Sequence, residues 1–445
     1  MVNIRRVHWL LASTMRNGGA NRKVMRKRQQ TASSARRGLI AALDVGTAKI
    51  CCFVSKIEDD GSLDVVGIGH QVARGTRAGT VVDMSAVEES IGEVLQTAED
   101  MAGDTVRTVV VGVTGCQPHS RILRVELELG GHEVSQADLT RVFERSHNEQ
   151  LQQDRMFLHG LPVGYEIDGL HGIQDPRGMR GEKLLVRMHV VSGCRSTIRN
   201  LTNCVGRCHL DTDELVLSSY ASGLASLVED ELDLGAICID MGAGVTSIAV
   251  FRNNAMMHAD AVPVGGWHVT SDIARGLDTS MRDAERLKTL FGSTIASDVD
   301  KKDMIDVPPL GERDASGPNH IPRELLIGVV RPRLEETFEL VRDRLDEVGY
   351  GRSGAMRVIL TGGASQLSGL RDLAGQILGK HVRLGGPLPI PGLAQSMRGP
   401  AFATCAGLLL YAAQQTPAAS MASTGQHRNS NGHIGRFGQW FRDNF

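Results

Sequence analysis

The hydrophobic pattern of this chain occurs twice. Residues 39–54 form two apolar runs separated by a tight polar turn, Asp44-Val-Gly46-Thr47, and residues 236–250 have the same layout 196 positions later around Asp240-Met-Gly242-Ala-Gly244. Apolar runs of this length on either side of a glycine turn predict a buried strand, a turn and an antiparallel strand. Each pair is followed by a third strand candidate, at 63–69 and at 255–262. In the first unit a helix is predicted over 85–101, where Val87, Ile91, Val94, Leu95, Ala98 and Met101 recur at three- and four-residue spacing. Asp83 and Ser85 offer N-cap oxygens there. Strands at 105–113 and 356–360 would close the two units. Two βββαβ units predict two related α/β domains facing each other across a cleft.

Two stretches fall outside this scheme. Residues 118–198 hold strand candidates at 122–129 and 184–192 and helix candidates at 135–150 and 196–205, which together read as a subdomain inserted into the first unit. Residues 293–323 are polar and carry Pro308, Pro309 and Pro318; an amphipathic helix is predicted after them, over 323–348. From 414 to 431 the chain is rich in Ala, Ser, Thr, Gly, Asn and Gln, the composition of a flexible linker.

With 445 residues, 41% of them hydrophobic, the chain can build real cores, and its formal charge of −2 hides a split. The first 43 residues hold ten Lys and Arg and no acid. Taking those ten from 49 leaves 39 basic against 51 acidic groups, a net of −12 for the remainder. An acidic body argues against a nucleic-acid platform. Residues 1–38 are expected to be a disordered basic arm, although their composition also resembles a transit peptide and Met25 stands where a shorter product could begin. No run reaches the roughly 18–20 apolar residues that span a bilayer. The eight cysteines include no CxxC pair, and Cys204, Cys208 and His209 lack the second ligand pair of a metal site. Structural thiols in a reducing compartment are expected.

A strand ending in Asp-x-Gly has a chemical use. The glycine lets the backbone approach a phosphate closely, and the neighbouring carboxylate can hold Mg²⁺ directly or through water. One such turn occurs in many hairpins and says little. Two at equivalent positions of a duplicated chain can clamp the phosphates of a magnesium nucleotide from both sides.

These residues resemble the phosphate motifs of the actin, chaperone and sugar-kinase ATPase superfamily. Asp44, Gly46, Thr47 and Ala48 match the first loop; Asp240, Gly242, Ala243, Gly244, Val245 and Thr246 match the second. Gly265 and Gly266 resemble the glycine pair beside the phosphates. Glu285 and Lys288 resemble the pair that contacts ribose and base, and Gly362, Gly363 and Ala364 the adenosine turn. Residues 214–223 resemble the connecting helix, which would place Glu214 to orient water. Within the superfamily, residues 39–445 resemble most closely the FtsA family of bacterial cell-division proteins. The match rests on 43–49, 269–274 and 359–364 and includes the inserted block. Ala243 and Val245 depart from the family's usual Asp-x-Gly-Gly-Gly-Thr, and Val245 brings no hydroxyl to a phosphate.

The resemblance implies a duplicated actin-like, ribonuclease-H-like ATPase fold. The expected divisions are 39–117 with 199–232 (subdomain 1A), 118–198 (1C), 233–266 with 356–413 (2A) and 267–355 (2B). ATP and Mg²⁺ would bind between the halves, with Asp44 and Asp240 on the metal and Glu214 and Asp240 positioning water for any hydrolysis. The implied role is to polymerise on the inner membrane's cytoplasmic face at the division site and anchor the tubulin-like FtsZ there beside other membrane division proteins. A pilus-assembly relative and a small-molecule kinase are the alternatives, and no acceptor-site signature supports the kinase.

The last residues complete the expectation. On a helix at about 100° per residue, Ile434, Phe437, Trp440, Phe441 and Phe445 occupy an arc of about 140°, flanked by Arg436 and Arg442. That pattern describes an interfacial membrane helix over 432–445. Burying five large apolar side chains is worth roughly 7–15 kcal/mol at most, while ordering the tail costs several kcal/mol. One tail is therefore a weak anchor, and several on one filament hold firmly.

Overall fold

A computed structural model describes residues 39–58, 62–147, 152–310, 318–351 and 356–415. The basic arm and the membrane helix expected above lie outside the described residues, as does the linker beyond Gln415.

The first unit opens with β1 (Leu39–Val45), β2 (Lys49–Ile57) and β3 (Leu63–Val72), an antiparallel meander. The short pair β4 (Thr76–Arg77) and β5 (Thr80–Val81) leads into α1 (Met84–Ala102), followed by β6 (Thr108–Val113). Asp83 caps α1 by accepting from the Ser85 and Ala86 N–H groups at 3.0 and 3.1 Å. Of the expected stripe Val87, Ile91, Val94 and Ala98 are buried, Leu95 is partly buried and Met101 is exposed, and Gly67 and Gly69 of β3 let the helix lie directly on the sheet.

The insert comprises β7 (His119–Glu128), α2 (Gln136–His147), β8 (Arg155–Ile167), β9 (Leu170–Ile173) and β10 (Lys183–Cys194), in the antiparallel order β7-β10-β8-β9. Strands β8 and β9 were not expected from the pattern. Gly160, Pro162 and Gly164 interrupt the β8 run, and the register against β10 slips beside Pro162, where a bulge makes a proline tolerable inside a sheet. Leu127, Val142, Phe143 and Leu184 belong to a separate small core under α2.

After α3 (Arg195–Arg207) the chain returns to the first sheet as β11 (Asp211–Leu217). Next come α4 (Ser218–Ser226) and the short α5 (Glu229–Leu234), and then the second unit: β12 (Ala236–Met241), β13 (Thr246–Arg252) and β14 (Ala255–Val262). Helices α6 (Gly266–Gly276) and α7 (Met281–Phe291), the hairpin β15 (Met304–Val307) and β16 (Asn319–Pro322), and α8 (Arg323–Glu347) follow. The chain closes with β17 (Arg357–Thr361), α9 (Leu370–Leu378), β18 (Val382–Leu384) and α10 (Ala403–Gln415).

The duplication is exact in topology. One sheet runs β3-β2-β1-β6-β11 and the other β14-β13-β12-β17-β18, with the same antiparallel and parallel neighbours. Helix α10 packs on the first sheet, α4 on the second, and the two helices cross each other between the sheets. A Cβ on Gly407 of α10 would lie 1.8 Å from the Ala221 carbonyl oxygen of α4, so the crossing is set by backbone contact. The insert also reaches the second half, where the Ala259 N–H of β14 donates to Ser120 Oγ of β7 at 3.1 Å. No helix among the described residues is long and apolar enough to cross a membrane.

Candidate nucleotide site

Because β1 and β12 are equivalent, their penultimate residues Asp44 and Asp240 end up facing each other across the cleft, and Asp44 feels the charge of Asp240. Burial pushes Asp44 up to about 6, with the neighbouring Asp240 adding to the rise and Lys49 opposing it. Burial raises Asp240 as well, against hydrogen bonds from Ser222 and Thr404 and the charge of Lys49. Ser222 Oγ of α4 donates to Asp240 Oδ2, and Thr404 Oγ1 of α10 donates to it at 3.1 Å. Lys49 donates to the Ala401 carbonyl and lies 3.7 Å from the Phe402 ring centroid. One ammonium group thus serves two carboxylates, which leaves the site short of positive charge.

Each Asp-x-Gly loop is a tight turn. The Gly46 N–H donates to the Lys49 carbonyl at 2.9 Å, and the Gly242 N–H to the Val245 carbonyl at 3.0 Å. Thr47 Oγ1 accepts from the Gly79 N–H at 2.8 Å. A Cβ on Gly244 would lie 2.7 Å from both Thr47 Oγ1 and the Ala78 Cα, so the two loops touch. Among the described residues, the N–H groups of Thr47, Ala48, Ala243 and Gly244 make no intramolecular hydrogen bond. Two consecutive open donors on each loop, next to a carboxylate, form an anion cradle with a hard oxygen ligand at each edge. These residues fit a phosphate chain and Mg²⁺.

The other side of the cleft is built from glycines and one ion pair. Gly265 precedes α6, and the Gly266 and Trp267 N–H groups donate to the Gly242 and Ala243 carbonyls at 3.0 and 2.7 Å, locking the helix to the second loop. Lys288 Nζ donates to the Gly266 carbonyl, Thr270 Oγ1 and Glu285 Oε2 at 3.0, 2.8 and 2.7 Å. A Cβ on Gly266 would meet Ala364 at 3.1 Å and Lys288 Nζ at 3.5 Å. Gly362 has φ +85°, and a Cβ there would strike Asp240 Oδ1 at 2.3 Å. Gly363 and Ala364 continue from it as one short 3-10 turn. Residues 44–48, 240–244, 265–266, 285, 288 and 362–364 therefore converge on one cleft, as the motif order implies.

Three expectations change. Glu214 is not on the connecting helix, which begins at Ser218. It lies on β11, paired with Val110, which is itself opposite Ala42. That register sets it two residues back from Asp44 and two strands away, with its charge felt by Tyr411. Thr246 is fully buried, and its hydroxyl donates to the Val264 carbonyl at 2.8 Å, so it is turned away from the cleft. Val245 buries its side chain and contributes a carbonyl to the turn. Strand alternation at the start of β13 sets the direction of Thr246, whereas Val245 belongs to the turn just before the strand.

Lys49, Ser222 and Thr404 were missed. Lys49 had a readable signal: Asp44 pairs with Cys51, so Lys49, two residues earlier on β2, shares the aspartate's face of the hairpin. Ser222 and Thr404 had none, since they meet Asp240 only through the crossing of α4 and α10. The eight cysteines are free, and Cys204 Sγ points to the Met84 carbonyl at 3.9 Å as a packed thiol.

Two like-ordered sheets, crossed helices between them and facing aspartate loops define an actin-like ATPase fold. Solved structures agree. The chain matches "PilM-PilN type IV pilus biogenesis complex" with a TM-score of 0.61 at 17% identity, covering 85% of this chain and 99% of that one. It matches "Crystal structure of MreB5 of Spiroplasma citri bound to ADP" with a TM-score of 0.51 at 12% identity, covering 87% and 99%.

The particular family comes from sequence. The family model "Cell division protein FtsA" matches residues 237–407, and "SHS2 domain inserted in FTSA" matches residues 115–192. "Cell division protein FtsA" of Rhizobium meliloti (strain 1021) is 42% identical over 424 residues, covering 93% of this chain and 96% of its own length. The chain belongs to the FtsA family of cell-division proteins. Membership sets aside the kinase and pilus alternatives.

Proposed function

We propose that this chain binds Mg-ATP between its two halves, polymerises head to tail on the cytoplasmic face of the inner membrane, and tethers FtsZ polymers there during septum formation. Other membrane division proteins would join it at that site. The observation that carries the reading is the pair of equivalent loops, each with an inward-lying aspartate and two open N–H donors, in a chain of the FtsA family. In that scheme Asp44 and Asp240 hold Mg²⁺, residues 46–48 and 242–244 cradle the phosphates, Gly265 and Gly266 approach them, and Lys288, Glu285 and 362–364 receive the nucleoside. Bound magnesium would supply the positive charge that the two carboxylates lack. The two carboxylates would then be neutralised together, a local charge change that would favour one state of the cleft over another. Residues 39–117 with 199–232, and 233–266 with 356–413, form the two clamping subdomains. Residues 267–355 form the small subdomain that would meet FtsZ, and 118–198 the insert.

The anchor is assigned to Ile434, Arg436, Phe437, Trp440, Phe441, Arg442 and Phe445. Co-sedimentation with anionic vesicles tests it: the full chain is expected to pellet, and a chain truncated after Gln415 to lose most of that binding. Equal pelleting of the two would sink the anchor. In a parallel arm, FtsZ polymers should carry the full chain into the pellet, and background recovery would remove FtsZ as the partner.

A further inference from the structure

One side chain of the insert enters the core behind the cleft. His159 of β8 is 1% exposed, and its Nε2 accepts the Leu217 N–H at 2.9 Å, which leaves the ring proton on Nδ1. Leu217 ends β11 and is the N-cap of α4, where its apolar side chain offers no cap. The imidazole packs edge-on against Tyr220 of α4 and Tyr411 of α10, with ring centroids 5.4 and 6.4 Å apart. Tyr220 in turn stacks on Phe251 of β13 at 6.1 Å. A single residue of the insert therefore touches both crossing helices and, through Tyr220, the second sheet.

Helix α4 bonds one carboxylate of the cleft and starts near the other. Ser218, the residue after Leu217, has its Oγ 2.7 Å from Thr114 Oγ1. It shares with Asp44 the space over Gly112, where a Cβ would lie 3.3 Å from Ser218 Oγ and 3.5 Å from Asp44 Oδ1. Ser222, one turn later, donates to Asp240. A small rotation of the start of α4 would move both hydroxyls relative to the two aspartates.

We infer that His159 is a positioning residue for the nucleotide site: by holding the Leu217 N–H it fixes the start of α4 and ties the insert to the cleft. The inference rests on the reading of the cleft as a Mg-nucleotide site. A histidine that merely fills core space would be replaceable by any ring of similar size. One that positions α4 needs its acceptor atom.

The test uses the full chain, titrated with a fluorescent ATP analogue and Mg²⁺, with hydrogen–deuterium exchange followed in the same samples. His159→Phe keeps the ring and removes the acceptor; His159→Gln keeps an acceptor. The Phe variant is expected to bind nucleotide about tenfold more weakly, the effect of one lost buried acceptor. The Gln variant should stay within about threefold of the parent. Nucleotide should slow exchange in residues 155–167 of the insert in the parent and in the Gln variant, and not in the Phe variant. A Phe variant that binds like the parent with the same exchange pattern overturns the inference. So does a folded Gln variant that has lost affinity, which keeps the test decisive where the Phe variant fails to fold. A parent that binds no nucleotide removes the cleft reading, and this inference with it.

Discussion

Asp44→Asn is expected to give a chain that is more stable near neutral pH than the parent and no longer takes up Mg-ATP. The folded protein holds the Asp44 proton up to about pH 6, whereas an unfolded aspartate releases it near pH 4. Between those values the folded state binds more protons than the unfolded state, so stability falls as pH rises through the window. Above it the cost stays constant, about 3 kcal/mol for a shift of this size. Asparagine carries no such charge. Melting temperatures of parent and variant should therefore nearly coincide at about pH 4 and separate in favour of the variant at about pH 8. Loss of a carboxylate that holds Mg²⁺ should weaken nucleotide binding by roughly 100-fold or more. A variant less stable than the parent at pH 8, or one that still binds Mg-ATP, would remove Asp44 from its assigned role. A site that is costly to fold and repaid by its ligand is the pattern expected of binding machinery.

Gly407→Ala should act on stability most strongly among conservative changes. In an isolated helix, alanine is better than glycine by about 1 kcal/mol, so propensity alone predicts a gain. Here the new methyl group would sit 1.8 Å from the Ala221 carbonyl oxygen, and backbone cannot be moved aside as a flexible side chain can. The crossing of α4 and α10 must open, with an expected loss of about 3 kcal/mol. The consequence extends to the site, because Ser222 on α4 and Thr404 on α10 both bond Asp240. Urea denaturation measures it directly; a midpoint equal to or above the parent's would show that the helices tolerate wider spacing. A Cβ on Gly223 would lie 2.3 Å from the Phe251 ring, so Gly223→Ala provides a second test of how tightly α4 is held.

Much of this protein was legible in the chain itself. The two apolar–Asp-x-Gly–apolar runs specify two equivalent hairpins, because strand pairing and a glycine turn are local properties. Repetition at a long interval then implies two sheets of one order, and that order is observed. The stripe of α1 and its Asp83 cap were readable for the same reason. Local pattern failed where a strand breaks its own rules, as at Pro162 in β8, and where an apolar run changes from strand to helix without a glycine or proline to mark it. The boundary between β11 and α4 is such a place, and it moved Glu214 from the expected helix to a sheet strand.

Tertiary structure alone decided the rest. Asp44 and Asp240 are 196 positions apart, and only the packing of the two halves desolvates both, which raises them, and brings the charge of Asp240 to bear on Asp44. Thr404, at the far end of the chain, reaches Asp240 because α10 crosses α4 at a glycine. His159, in the insert, reaches Leu217 because β8 packs against β11, the edge strand of the first sheet. Sequence marked which groups are candidates for the chemistry, since a carboxylate beside a glycine turn is a local feature. Which of them face one another, and at what electrostatic cost, depends on long-range contacts that no local pattern encodes.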